Sequence, residues 1–347
     1  MVKPRHDPNL FQSPFWARFK EIRGYQTQAF RIDYQGRRTN MVVIHRPCGP
    51  DERYGYIPHG PDIYVPQETQ GPILEEISEH VTHRLPEDCR FLRFDLPWGS
   101  PYVGPSTEGA PECTPPEPRV REMRMNFGCR RWNLCKAPTD MQPPATVILD
   151  LDRPVGALLR DMHPKTRYSI RRAFRRGVRV TREGLEALPL WHRLYRDMAG
   201  RKNIVCEDLP YFKDLFATAR DSGCTLHLFL AWHRGEAVAG NLVALHNKTA
   251  YYLHSAASGR GRRATASYAV LWKSIMDARG QGIRRFDLMG IPPNRDPRHP
   301  MHGLYRFKTR FGGRIFHFRG CWDYPFDSNG YSALALQAAL DDPFHVR

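Results

Sequence analysis

Two spacings of apolar residues alternate along the chain and set its elements. Residues 13–24, SPFWARFKEIRG, predict a short helix: Ser13 suits the N-cap, Pro14 the first turn, and Gly24 follows the end. Apolar alternation near 26–33 and 39–46, either side of the turn YQGR, predicts a β-hairpin. A helix near 68–84 and a buried strand, RFLRFDL, follow. The second half repeats this order. CTLHLFLAW, the turn HRGE, AVAGNLVAL and TAYYLHSA read as strands, ASYAVLWKSIMDARGQG as a helix with Gly280 near its end, and IRRFDLMG as another buried strand. The two closing strands share a tetrapeptide, Arg93-Phe94-Asp95-Leu96 and Arg285-Phe286-Asp287-Leu288. Matching order around a matching tetrapeptide predicts an internal duplication of one α/β unit. Between the halves, residues 99–143 carry too many Pro and Gly for a long element and read as an extended loop.

A chain of 347 residues exceeds one comfortable core, which agrees with two domains. Hydrophobic residues make up 41% and aromatic residues 12%, enough for a globular fold. No stretch approaches the length of a membrane span, and the opening MVKPRHDPNLFQSPFW lacks an apolar leader segment, so a cytoplasmic location is expected. The eight cysteines include no CxxC pair and read as reduced thiols, with Cys113, Cys129 and Cys135 the nearest approach to a metal set. The fifteen histidines show no ligand spacing, so neither a metal nor another cofactor is expected.

Net charge is +16, which favours a polyanionic partner. The charge concentrates in KTRYSIRRAFRRG, residues 165–177, where Lys165, Arg167, Arg171, Arg172, Arg175 and Arg176 stand with no acid among them. On a helix, Ile170, Ala173 and Phe174 fall on one face and the arginines on the rest. Without acids there is no i,i+4 pairing to neutralise that face, which points to phosphate. GRGRRATAS, residues 259–267, precedes a predicted helix and could present Arg260, Arg262, Arg263 and its backbone N–H groups to another phosphate. No GxxxxGK[ST] loop is present. The acyl-coenzyme A pattern [RQ]xxGx[GA] also fails, because Ala256 and Ser258 stand three residues before Gly259 and Gly261.

QSPFWARFK, YGYIPHGP, FLRFDLPW, QPPATVILDL, KTRYSIRRAFRRGV, YYLHSAAS, RRFDLMGI and GLYRFKTRFGG, in this order, run along most of the chain. In them the chain resembles the Fem-type aminoacyltransferases of peptidoglycan bridge formation. The resemblance implies an α/β (α+β) fold of two duplicated acyltransferase-like (GNAT-type) domains: 1–145 completed by 320–347, and 146–319, without the coiled-coil arm of some members. It implies an enzyme that moves an amino acid from aminoacyl-tRNA to a side-chain amine on the stem peptide of a precursor, nucleotide- or lipid-linked. Lys308, preceded by Phe307, matches the family's Phe-Lys pair and would stabilise the oxyanion or the leaving ribose oxygen. Asp95 would hold or deprotonate the attacking amine, with its twin Asp287 a weaker candidate. Lys20 matches a lysine that contacts precursor phosphates, and Tyr211, Tyr252 and His254 fall in substrate-contacting regions. Two departures stand out: Glu207 replaces an Arg often found four residues before Tyr211, and His254 follows Tyr252 where a Tyr-x-Tyr pair is common. Arg167, Arg171, Arg172, Arg175, Arg262 and Arg263 are the candidate tRNA contacts. A monomer that touches the inner face of the membrane is the expected setting. The competing readings are an acyl-coenzyme A N-acyltransferase of the same fold and a non-catalytic RNA-binding protein.

Overall fold

The structure, a computed structural model, describes residues 9–104 and 115–340. Strands β1 (Thr27–Tyr34), β2 (Arg37–Pro47) and β3 (Arg53–Ile57) form an antiparallel run, and β4 (Cys89–Gly99) returns parallel to β3. A short β5 (Cys135–Lys136) and β6 (Ala145–Asp150) come next, then β7 (Arg179–Glu183). Strands β8 (Thr225–His233), β9 (Glu236–His246) and β10 (Thr249–Ala257) repeat the antiparallel run. Strand β11 (Arg285–Asp287) returns parallel to β10, and β12 (Arg314–Pro325) closes the set. A parallel return needs a crossover, supplied by helix Gln70–Thr82 in the first unit and helix Ala266–Gly280 in the second. The duplication is therefore present in the strand pairing itself, and the fold is α/β with two units of the same strand order.

Four features depart from the pattern-based expectation. Strand β3 has no counterpart in it, because Gly55 breaks the apolar alternation. That glycine is required, since a Cβ there would meet Leu92 and Val43 side chains at 2.6 and 2.8 Å. Strand β11 is only three residues long, since Met289 turns into the left-handed region at φ 58°. The arginine-rich helix, Pro164–Arg175, buries Thr166, Ile170 and Ala173, while Phe174 is 44% exposed. The buried stripe follows i, i+4, i+7, which excludes Phe174. The 99–143 segment does contain a helix, Pro118–Met125; its residues 105–114, Cys113 included, lie outside the described residues.

All strands but β5 lie on one path, β1-β2-β3-β4-β12-β6-β11-β10-β9-β8-β7, with β5 paired to β12. Strand β12 is the joint. Arg314–His317 pair with β6, and from Phe318 onward the strand pairs with β4. The change of partner occurs at a register shift between Phe318 and Gly320. Gly320 has φ 78°, and a Cβ there would meet the Asp140 carboxylate at 2.5 Å, so this crossing point requires glycine.

A buried ion pair fixes β12 to β4. Arg93 and Asp323 are both fully buried; Nε donates to Oδ1 at 2.8 Å and Nη2 to Oδ2 at 2.7 Å. Tyr331, at the start of the last described helix, donates its hydroxyl to the same Oδ2 at 2.8 Å. Asp323→Ala should leave the guanidinium buried without its counter-ion, a loss of about 3–5 kcal/mol. Thermal unfolding should show a fall of several degrees; an unchanged midpoint would remove the pair from this role.

Candidate functional site

Where β12 changes partner, residues of both units enclose a cavity of about 230 Å³. Its floor comes from alternate residues of four strands: Thr146 and Ile148, Thr249 and Tyr251, Arg285 and Asp287, Phe316 and Phe318. The two-residue spacing puts these side chains on one face of the sheet. The first unit covers them with Asn9, Phe11, His59 and Asp62. Asn9 Nδ2 donates to the His59 carbonyl at 2.9 Å, and the Asn9 N–H donates to Asp62 Oδ2 at 2.6 Å. The His59 ring stacks on Phe11 and meets Phe318 edge-on, with centroids 4.9 and 4.8 Å apart. Burial takes its pKa down to about 4 despite Asp287 and Asp62 nearby, so the imidazole is neutral at neutral pH.

Asp287 ends β11 and projects into this cavity. Its Oδ1 accepts the Thr146 hydroxyl and, at 2.7 Å, the N–H of Met289. Burial raises its pKa, against those bonds and the opposing influence of nearby His59 and Lys308. Beyond Asp287 the parallel strands β10 and β11 part, and Lys308 fills the gap from the Tyr252 side. Its Nζ donates to the carbonyls of Met289 at 3.1 Å and Gly290 at 2.8 Å and lies 5.8 Å from the Tyr252 ring centre. Burial brings its pKa down to about 7, with Asp287 opposing. Lys308 is thus a lysine that changes charge near neutrality, set behind a cavity wall formed partly by Met289 and Gly290.

Asp95 occupies a different place from its twin. It lies inside β4, opposite Cys321 of β12, rather than at a strand end, because pairing in the first unit continues to Gly99. Tyr56 donates its hydroxyl to Asp95 Oδ2 at 2.9 Å, and burial, with Asp140 next, raises the carboxyl to about 7. Lys308 and Asp95 share no partner among these contacts; the carboxylate that acts on Lys308 is Asp287. The tetrapeptide repeat was the signal for Asp287. His59, with φ 44°, carried no such signal beyond its place in YGYIPHGP.

A second cluster lies where helix Pro14–Ile22 meets helix Leu209–Arg220. Lys20 Nζ sits 5.0 Å from the Trp16 ring centre and 5.5 Å from that of Tyr25. Burial, then Arg46, lowers Lys20 to about 8, opposed by Glu207. Glu207 is itself raised by burial and drawn down by Lys20 and Arg23. Tyr211 packs edge-on against Phe19, and His254 is walled by Phe212, Tyr195, Tyr211 and Trp191. Burial lowers His254 to about 4. Lys20, Tyr211 and His254 are therefore brought together. Tyr252 is not with them: it is 4% exposed, bonds Asn241 at 3.2 Å and lies beneath Lys308, while its neighbour Tyr251 lines the cavity. Phe307, half-buried and beside Lys308 in sequence, packs on Tyr268 and Phe311 against the second unit's core.

The FemAB family model matches residues 2–232 and 233–338. The chain belongs to the FemAB family. Among curated proteins it is similar to the "Lipid II:glycine glycyltransferase" of Staphylococcus saprophyticus, 20% identical over 255 residues, covering 56% of this chain and 61% of that protein. The protein of the same name from Staphylococcus epidermidis is 20% identical over 247 residues, covering 53% and 59%. The chain therefore aligns with about three fifths of those relatives' length. Among solved structures it is similar to FemX, with TM-score 0.73, 16% identity and 96% of each chain covered. It is also similar to L-PGS from Bacillus licheniformis, with TM-score 0.51, 10% identity, and 92% and 90% covered. These structural likenesses establish the fold.

In this FemAB chain the arginines divide into two groups. Arg167 is committed internally: Nη1 donates to the carbonyls of Leu159, Arg160 and Met162, at 3.0, 3.2 and 2.5 Å, and so closes the end of helix Val155–Asp161. Residues 259–263 form a helical turn, not a loop; Ser258 takes the N–H of Gly261 on its hydroxyl and that of Arg262 on its carbonyl, at 3.1 and 3.0 Å. Gly261 is there for close packing, since a Cβ would meet the Val238 carbonyl at 2.1 Å. Arg260 pairs with Glu236. Arg171, Arg175, Arg262 and Arg263 are exposed, Arg172 partly so. Arg176 donates to the Arg263 carbonyl at 2.9 Å and joins the two basic segments into one surface. Arg201 and Arg262 also lower the pKa of Lys202, after burial, so they extend it. Arg167→Ala should cost roughly 1.5–3 kcal/mol of stability, the range for hydrogen bonds to a charged group, while Arg171→Ala should cost almost nothing. Equal melting temperatures for the two variants would contradict this division.

Proposed function

We propose that this FemAB-family chain is an aminoacyltransferase that moves an amino acid from aminoacyl-tRNA to a side-chain amine on a peptidoglycan precursor, in the cytoplasm. The observation that carries the reading is Lys308, a buried lysine titrating near neutrality at the point where β10 and β11 part. The relatives named lipid II:glycine glycyltransferases support the substrate class. The reaction is aminolysis of an ester: the substrate amine, once deprotonated, attacks the aminoacyl carbonyl, and the ribose hydroxyl leaves. No Ser/His/Asp set is needed, because the nucleophile arrives with the substrate. An ammonium at Lys308 has three N–H groups, two of them given to Met289 and Gly290. The third is available to the oxygen on which charge develops, where a preorganised donor lowers the barrier most.

Lys20, with Arg46 and Arg23 near it, provides the positive site for the precursor's phosphates. The exposed arginines of helix Pro164–Arg175 and of residues 259–263 form the surface for tRNA. The units divide as 1–145 with 320–347, and 146–319, which puts the chemistry at their junction; residues 341–347 lie outside the described residues. Asp95 acts from inside the first unit through Tyr56, whose ring carries Arg46.

Lys308→Met should lower turnover by roughly 10²–10³ with precursor binding retained, the usual cost of one oxyanion donor. The working form is the ammonium, present below a pKa of about 7, so its advantage disappears as pH rises through that value. The ratio of wild-type to Lys308→Met turnover should accordingly fall about tenfold per pH unit above it. A rising ratio would make Lys308 a base, and a flat ratio near one a bystander. Transfer should also stop when the charged donor is digested with RNase, and should not run on acetyl-coenzyme A; either result reversed would replace the donor.

Replacing Arg171, Arg172 and Arg175 with Gln should weaken tRNA binding and flatten its dependence on log salt by roughly two to three units, at about 0.9 per phosphate contact. An unaltered slope with lost precursor affinity would assign the helix to the cell-wall substrate.

A further inference from the structure

The junction cavity is small and unequal in charge. Asp287 and Asp62 both line it, His59 is neutral, and the one positive lining residue, Arg285, is solvent-exposed, so two carboxylates stand against one guanidinium. Phe11, Tyr251 and Phe318 supply ring surface around the carboxylates. Phe11 lies edge-on to Tyr251 with centroids 6.0 Å apart, and His59 sits against both Phe11 and Phe318. Carboxylates among aromatic faces favour a cation and disfavour phosphate or carboxylate. Its volume of about 230 Å³ suits a short chain.

We propose that this cavity is an ammonium pocket, which receives the primary ammonium of a short chain between Asp287 and Asp62. The identity of that amine rests on the transfer reading: it is either the α-ammonium of a small aminoacyl donor or the side-chain ammonium of the acceptor. The preference for a cation rests on the cavity alone. Lys308, behind the Met289–Gly290 wall, then faces the acyl group from the other side of the same strand end. The pocket fixes where the amine stands, and Lys308 acts where charge develops.

Ligand-observed NMR on the full chain at neutral pH tests this with two ammonium probes, glycinamide and Nα-acetyl-lysine amide. Their uncharged counterparts are acetamide and Nα-acetyl-norleucine amide. At least one ammonium probe should bind, its counterpart should not, and Asp287→Asn should weaken it about tenfold or more. Asn keeps an oxygen for Thr146 and Met289, so the local fold survives the change, and Asp62→Asn likewise keeps an acceptor for the Asn9 N–H. Binding of glycinamide alone places the donor's amine there; binding of the lysine probe alone places the acceptor's. Absence of binding by both, equal binding by the uncharged counterparts, or indifference to both Asn variants would overturn the proposal. Lys308→Met should leave probe binding intact, so the pocket and the transfer reading can fail separately.

Discussion

The buried pair of Arg93 and Asp323 is the constraint on which the junction depends. A guanidinium and a carboxylate, both removed from water, are tolerable only in mutual bidentate contact, and that contact holds β12 in register on β4. The N-terminal part of β12 is meanwhile committed to β6. One strand therefore belongs to both halves of the sheet, and the place where it crosses is fixed to within a residue by Gly320. The cavity floor, with Phe316 and Phe318, is built from that crossing. The floor of a binding site assembled at a shared strand takes its geometry from strand pairing.

Duplication gave the two units the same strand order and different chemistry. In the first, pairing with β12 runs past Asp95, so its carboxyl is enclosed and bonded by Tyr56. In the second, the strand stops at Asp287, Met289 turns left-handed, and the freed carbonyls accept the Lys308 amine. Opening a parallel pair leaves backbone groups to be satisfied. Lys308 satisfies two of them, and the same burial makes its charge labile near neutrality. Structural and chemical roles fall on one side chain.

Strong periodicity and punctuation made the hairpins, both crossover helices and the duplication legible in the sequence. Strand β3 was not, because Gly55 is chosen for close packing against Leu92 and Val43 rather than for strand preference. Burial at single positions was less legible: helix phase alone puts Phe174 and Thr166 in competition, and the structure buries Thr166. Among the basic residues, composition cannot tell Arg167, spent on three carbonyls, from the exposed Arg171. The tetrapeptide repeat put two aspartates forward with Asp95 preferred, and the length of β11 against β4 separates their surroundings. His59 and Asp62 enter the site through contacts between units some 230 positions apart in sequence, such as that of Asp287 with His59, which no local pattern encodes.

A larger cavity, about 630 Å³, lies elsewhere in the first unit, lined by residues including His83, Arg90, Phe91 and Tyr331. Neither aspartate of the repeat lines it, whereas Asp287 lines the smaller space at the junction, which Lys308 backs from behind Met289 and Gly290. The most direct measurement is the structure of the full chain with a stable bisubstrate analogue, in which an amide joins a lysine-bearing stem peptide to an aminoacylated RNA 3′ end. Its linking carbonyl should lie at the β10–β11 parting, within hydrogen-bond reach of Lys308 Nζ, with the adjoining chain in the cavity of His59 and Asp287. A linkage seated in the larger cavity beside Tyr331, or one that leaves Lys308 out of reach, would contradict it.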